Sequence, residues 1–113
     1  MAKIDKSLLI ECLGDSPEIR IIDFLIENRL FDYSKKQIID GTQMGKATFY
    51  AHFENLERLG IVKITRKFGK AKLYKLDEQG SAVKRIVQLE MALIEASAPK
   101  KIAIREMASR LKQ

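Results

Sequence analysis

Residues 34–76 read SKKQIIDGTQMGKATFYAHFENLERLGIVKITRKFGKAKLYKL, and the order of elements within them decides the fold. Ser34 followed by Gln37 forms a capping box, in which two reciprocal side-chain-to-backbone hydrogen bonds start a helix. Ile38 marks the core face of this short helix. Asp40-Gly41-Thr42 is expected to end it, because glycine tolerates the left-handed backbone of a helix stop. Met44 packs inward from the turn, and a longer helix is predicted from Gly45 to Leu59, with Gly60 beyond its end. At about 100° per residue, Phe49, Phe53 and Leu56 fall on one ridge, the expected buried one. Ala47, Ala51 and Glu54 fall opposite it, flanked by Thr48, Tyr50 and Arg58, with Lys46 in the first turn. Strands over 61–67 and 71–76 follow, joined around Phe68-Gly69-Lys70, and the first alternates Ile61, Lys63 and Thr65 with Val62, Ile64 and Arg66.

On the N-terminal side, residues 5–13 predict a short helix ended by Gly14, with Ile4, Leu8, Leu9, Cys12 and Leu13 on one face. Ser16-Pro17-Glu18 supplies an N-cap, a proline at the first helical position and an acid in the first turn. That helix is expected to reach about Arg29 and to bury Ile19, Ile22, Leu25 and Ile26, with residues 30–33 as a connector. On the C-terminal side, Asp77 is expected to cap a long helix up to Ala96. Its stripe is Ala82, Ile86, Leu89, Leu93 and Ala96, widened by Val83, Val87 and Ile94. Pro99 interrupts, and a last helix is predicted with Ile104, Met107, Ala108 and Leu111 on one face.

At 113 residues the chain suits a single domain with one modest core. The core is placed at about residues 16–80, and 81–113 are expected to form C-terminal helices. No apolar run approaches the roughly 18–20 residues that span a bilayer. The N-terminus reads as no signal peptide, so an intracellular protein without a membrane partner is expected. Cys12 is the only cysteine, which rules out an internal disulfide and a cysteine-based zinc site. Its apolar neighbours predict a buried thiol. The net charge is +6. Lys63, Arg66, Lys67, Lys70, Lys72 and Lys75 lie within 61–76 without an acid. Those six of the 21 Lys and Arg leave fifteen to match the 15 Asp and Glu elsewhere, so one hairpin accounts for the whole excess. A local excess of this kind is the electrostatic footprint of a nucleic-acid binder.

Residues 16–80 resemble the winged helix-turn-helix transcriptional regulators, in particular the small archaeal and bacterial ones of the MarR, ArsR and PadR kind. The resemblance rests on the Ser34 cap, Gln37-Ile38-Ile39, Thr42-Gln43-Met44-Gly45, Thr48-Phe49-Tyr50, and Phe53 with Leu56-Glu57 and Gly60-Ile61-Val62. Tyr74, Leu76, Asp77 and Gly80 resemble the signature that follows the wing. Three departures stand out. Ile39 replaces a small alanine where two helices usually cross, Gly45 replaces a serine cap, and Tyr50-Ala51 replaces the common Ser-Arg. The fold class implied is mainly α with a small β-hairpin wing, carrying extra N- and C-terminal helices. The function implied is a sequence-specific regulator of transcription, a dimeric repressor, localised in the cytoplasm with the nucleoid.

In that reading the helix over 45–59 enters the major groove of double-stranded DNA, and the wing over 66–70 meets the backbone or the minor groove. The residues expected at DNA are Ser34, Lys35, Lys36, Lys46, Ala47, Thr48, Tyr50, Ala51, Arg58, Arg66, Lys67 and Lys70. Two alanines allow close approach to the groove floor. Thr48 and Tyr50 offer hydroxyls to phosphates or bases, and Arg66, Lys67 and Lys70 suit phosphates. Glu54 is able to accept from a cytosine amino group but also repels phosphates, so its role stays open. The terminal helices are expected to pair two copies into a homodimer. His52 is expected half-buried or near a phosphate. No metal, cofactor or catalytic constellation is expected, hence no enzyme. The competing functions are a winged-helix protein-protein adaptor and a nonspecific architectural or replication-associated DNA binder.

Overall fold

A computed structural model describes residues 7–97 of the chain. The expectations for Ile4 and for the helix carrying Ile104, Met107, Ala108 and Leu111 lie outside the described residues. Helices α1 (Leu8–Leu13), α2 (Pro17–Glu27), α3 (Lys35–Thr42) and α4 (Lys46–Arg58) precede strands β1 (Val62–Phe68) and β2 (Ala71–Leu76), and α5 (Ser81–Ala96) closes the order. This is a mainly helical chain with one β-hairpin, the class that the sequence predicts.

Local signals set most of the starts. Ser16 accepts from the Ile19 amide at 3.2 Å and Pro17 opens α2. Both halves of the capping box form at α3: Gln37 N donates to Ser34 Oγ at 3.2 Å, and Ser34 N donates to Gln37 Oε1 at 2.8 Å. Ser7 caps α1 and Gly45 precedes α4. Phe49, Phe53 and Leu56 face inward from α4, and Met44 is buried in the turn before it. Phe49 and Phe53 stack with ring centroids 4.8 Å apart, and Tyr74 of β2 meets Phe53 edge-on at 5.0 Å. Each such pair adds about 0.5–1.5 kcal/mol beyond area burial. Leu9, Ile21, Leu25, Ile38 and Val83 complete the centre of the core.

Several expectations are corrected. The helix α3 ends within the expected Asp40-Gly41-Thr42, but glycine is not its left-handed cap. It continues through Thr42, and Gln43 takes the left-handed C-cap at φ 54°. Gly41 is helical, and its missing Cβ matters for packing: a Cβ there would lie 2.2 Å from Cε1 of Phe24. The close crossing of α2 and α3 is therefore made at Gly41, which leaves room for Ile39 at the core edge. The helix α2 stops at Glu27 rather than Arg29, because Asn28 turns off the axis and its side chain donates to the Phe24 carbonyl. Ile21, rather than Ile19, is its fully buried isoleucine, and Asp23 is buried beside it. Asp77 shapes a turn instead of capping α5: Gly80 N donates to the Asp77 carbonyl, and α5 begins at Ser81. Its packed face is Val83, Ile86, Val87, Leu89 and Leu93, whereas Ala82, Ile94 and Ala96 are exposed. Cys12 is exposed, because six residues of α1 present only one full core contact, Leu9.

The hairpin is antiparallel, with Val62 opposite Leu76, Ile64 opposite Tyr74 and Phe68 opposite Ala71. Phe68 belongs to β1, so the loop is only Gly69-Lys70. Glycine takes the first position at φ 59°, as a two-residue type II′ turn requires. A bulge between Ile64 and Arg66 breaks the predicted alternation. Only Val62 of β1 is buried, so the strand leaves the core and projects into solvent. Tyr33 pairs with Tyr74 through two backbone hydrogen bonds of 2.9 and 2.8 Å, giving the base of the hairpin a third, one-residue strand.

Candidate nucleic-acid interface

The exposed side of α4 carries Lys46, Ala47, Thr48, Tyr50, Ala51 and Glu54, all open to solvent. Phe49, Phe53 and Leu56 anchor its opposite side, as the spacing predicts. The two alanines leave a low strip between taller polar side chains, which suits close approach to a groove floor. His52 sits on the shoulder, half-buried, with Nδ1 2.7 Å from Glu18 Oε2 in the first turn of α2. That hydrogen bond holds the Glu18 carboxyl below its ordinary range and ties the helix to α2. His52 thus acts as a strut.

A concave cleft of about 310 Å³ joins three elements: Ser34 and Lys35 at the start of α3, Tyr50 of α4, and Lys70 with Lys72 and Tyr74 of the hairpin. The cleft brings the helix start, the α4 face and the wing to one surface. Its charges are positive and its walls carry a phenolic hydroxyl, a suitable setting for phosphate oxygens. Lys35 is held differently from its neighbours. Its Nζ lies 5.2 Å from the Tyr50 ring centroid, 5.6 Å from Phe53 and 5.7 Å from Tyr74, so three rings fix the ammonium at the floor of the cleft. Lys36 is exposed beside it.

The wing is tied down at its base. Arg66 forks onto Asp32, with Nε to Oδ2 at 2.8 Å and Nη2 to Oδ1 at 2.7 Å, and Thr65 Oγ1 donates to the same Oδ2 at 2.6 Å. The bulge aims both side chains at the connector between α2 and α3. Arg66 holds the Asp32 carboxyl well below the usual carboxylate range. The guanidinium carbon also lies 5.4 Å from the centroid of the Phe68 ring. Arg66 is therefore occupied at the hinge of the hairpin, while Lys67 and Lys70 stand exposed farther out. Arg58 bonds Asn55 on its own helix, at the end of α4 remote from Lys46.

Cross-strand register pairs lysines along the wing. Lys67 lies opposite Lys72, and Lys63 opposite Lys75. Lys63 has Asp77 Oδ1 3.9 Å away, whereas Lys67 and Lys72 have no ion pair among the described residues. Lys72 and Asp32 were outside the set read from the sequence. Lys72 was legible as one of the alternating lysines of β2. Asp32 was not, because its partner lies 34 residues on.

No protein-family model and no curated protein matches the sequence. Solved structures do match in shape. MepR of Staphylococcus aureus, a transcription regulator of a multidrug efflux pump, aligns over 92% of this chain and 79% of its own, with TM-score 0.62 and 13% identity. The homodimeric winged helix-turn-helix DNA-binding domain of Mb0332 from Mycobacterium bovis aligns over 82% and 81%, with TM-score 0.56 and 20% identity. F-93 of SSV1 aligns over 80% and 96%, with TM-score 0.54 and 22% identity. The chain has the winged helix-turn-helix fold, with α3 and α4 as its helix-turn-helix and the β1–β2 hairpin as its wing.

Proposed function

We propose that this winged helix-turn-helix chain is a sequence-specific, double-stranded DNA-binding regulator of transcription, acting as a dimeric repressor. The observation that carries the reading is the single surface shared by the start of α3, the exposed face of α4 and the lysine-rich wing around the 310 Å³ cleft. In this reading α4 lies in the major groove with Lys46, Ala47, Thr48, Tyr50 and Ala51 toward the bases and sugar edges. Ser34, Lys36, Lys67, Lys70 and Lys72 meet phosphates, and Lys35 adds positive charge from within its ring cage. Arg66 orients the wing through Asp32, and Arg58 reaches the backbone only at the far end of the groove.

The α4 face carries no arginine to grip a guanine edge, so affinity comes mainly from phosphates. Discrimination comes from close packing, from Thr48 and Tyr50, and from DNA shape. The similar folds of MepR and the homodimeric Mb0332 domain support a regulator that works as a pair. Leu13 of α1 and Met91 and Ile94 of α5 are exposed apolar residues, suited to a second copy. Two such copies read half-sites about one helical turn apart.

The test is a competition gel shift between DNA from upstream of the chain's own gene and random DNA. Ala51→Glu places an acid on the low strip and is expected to abolish specific binding while the circular dichroism spectrum stays unchanged. Retained binding in Ala51→Glu would sink the major-groove placement, and equal competition by random DNA would leave an architectural binder. Light scattering at micromolar concentration is expected to give the mass of two chains.

A further inference from the structure

A separate cavity of about 380 Å³ shares no residue with the basic cleft. It lies between the start of α1, one face of α2 and the end of α3, with Ile10 and Phe24 as apolar walls and Glu27 at its exposed rim. Asp23 lines it. That carboxylate is 93% removed from solvent, since its exposure is 7%, and its Oδ1 has no hydrogen-bond partner among the described residues. A buried acceptor left open is costly, and a donor or a bound proton relieves that cost.

The local charge decides the kind of donor. Arg20 is the one cation on the cavity wall among the described residues, and it is already engaged. Its Nη2 donates to the Thr42 carbonyl, and its Nε lies 3.6 Å from Asp15 Oδ1. Burial raises the pKa of Asp23 against the opposing effect of the Ser7 hydroxyl beside it, burial with the Asp23 and Glu90 charges raises that of Glu27, and burial with the Asp23 charge raises that of Glu90 on α5 against Arg29. Three carboxyls thus crowd one side of a chain that is basic as a whole. An anion is repelled there. A bare metal ion is disfavoured, because no group of three or more ligating side chains converges among the described residues.

We propose that this cavity binds a small organic cation with an apolar body, its ammonium donating to Asp23 Oδ1 and its body resting on Phe24 and Ile10. The Phe24 ring suits an adjacent cation, and the rim charge of Glu27 draws it in. Because Thr42 and Gln43 also line the cavity, its occupant touches the turn that leads into α4. The proposal does not depend on the DNA reading.

The test titrates the full chain calorimetrically with benzylammonium, benzyl alcohol and benzoate, which share a ring and differ in charge. Benzylammonium is expected to bind saturably and to raise the melting temperature, with the other two at least about tenfold weaker. Asp23→Asn keeps the volume and removes the charge, and is expected to weaken benzylammonium at least about tenfold. Glu27→Gln, on the exposed rim, is expected to weaken it by about two- to threefold. If Asp23→Asn fails to fold, the wild-type charge series and Glu27→Gln decide the matter. Equal binding of benzyl alcohol or benzoate overturns the proposal. So does the absence of saturable benzylammonium binding up to about 10 mM, or a melting-temperature gain from magnesium alone.

Discussion

The wing and the Asp23 side of the molecule treat charge in opposite ways. On the wing, Lys67, Lys70 and Lys72 stand in solvent, placed opposite or beside one another by strand register. On α2, Asp23 is buried and its charge acts on Glu27 and Glu90. Exposed like charges cost the fold little and are available to a long anionic partner. A buried one costs the fold more and suits a small partner that can enter with a donor. One chain therefore carries two charged surfaces fitted to partners of different size and sign.

Each surface rests on its own packing element, so the comparison can be broken from either end. Tyr74 lines the basic cleft and packs on Phe53, which in turn stacks on Phe49. Phe49→Ala is expected to cost about 3–5 kcal/mol, read as a lower denaturant midpoint, and to weaken DNA binding along with it. The acidic cavity rests on Phe24 against Gly41. Gly41→Ala puts a methyl group into the Phe24 ring and is expected to cost about 1–3 kcal/mol. If chemical denaturation shows Gly41→Ala to be neutral, the α2–α3 crossing is looser than the geometry requires.

These two residues also show what the sequence could and could not display. The ridge of Phe49, Phe53 and Leu56 was legible because a helix repeats itself every few residues. The Ser16 and Ser34 caps were legible because their partners lie three residues away. The role of Gly41 was not legible, because it is set by Phe24 from another helix, while the left-handed cap falls on Gln43. Asp23 is one polar residue among several on α2 in the sequence, and its burial depends on packing between elements. Asp32 became an anchor only when the bulge at Thr65 turned Arg66 toward it. Among the candidate DNA residues, the surface was legible from charge and periodicity. The division between free lysines and an occupied Arg66 was not, since it rests on contacts distant in sequence.

Asp32→Asn sharpens the comparison from the basic side. It removes the charge that holds Arg66, and is expected to loosen the wing and to change DNA affinity less than loss of Lys67 and Lys70 together. Hydrogen exchange at the hairpin amides, faster in the variant, is the accompanying readout.

The smallest effect concerns pH. Asp23, Glu27 and Glu90 have raised pKa values, so the folded chain holds protons more tightly than the unfolded one. Their contribution to stability is present at low pH and is lost as pH rises through the raised values. Glu18 and Asp32 have lowered values, and their contribution is present above the ordinary carboxylate range and lost as pH falls through the lowered ones. The melting temperature is expected to be higher just below the raised values than above them, and to fall again as pH drops below the ordinary carboxylate range. Glu90→Gln is expected to flatten the first limb and leave the second. A first limb unchanged in Glu90→Gln would assign the effect to other groups.

The salt dependence of DNA binding tests the central claim most directly. The logarithm of the binding constant against the logarithm of salt concentration should be measured for the wild type and for Lys67→Ala/Lys70→Ala, on upstream DNA and on random DNA. The account predicts a slope lowered by about two units on both DNAs, with the ratio between the DNAs preserved, because the wing meets phosphates and α4 reads the site. An unchanged slope, or no binding to either DNA at low salt, would contradict it.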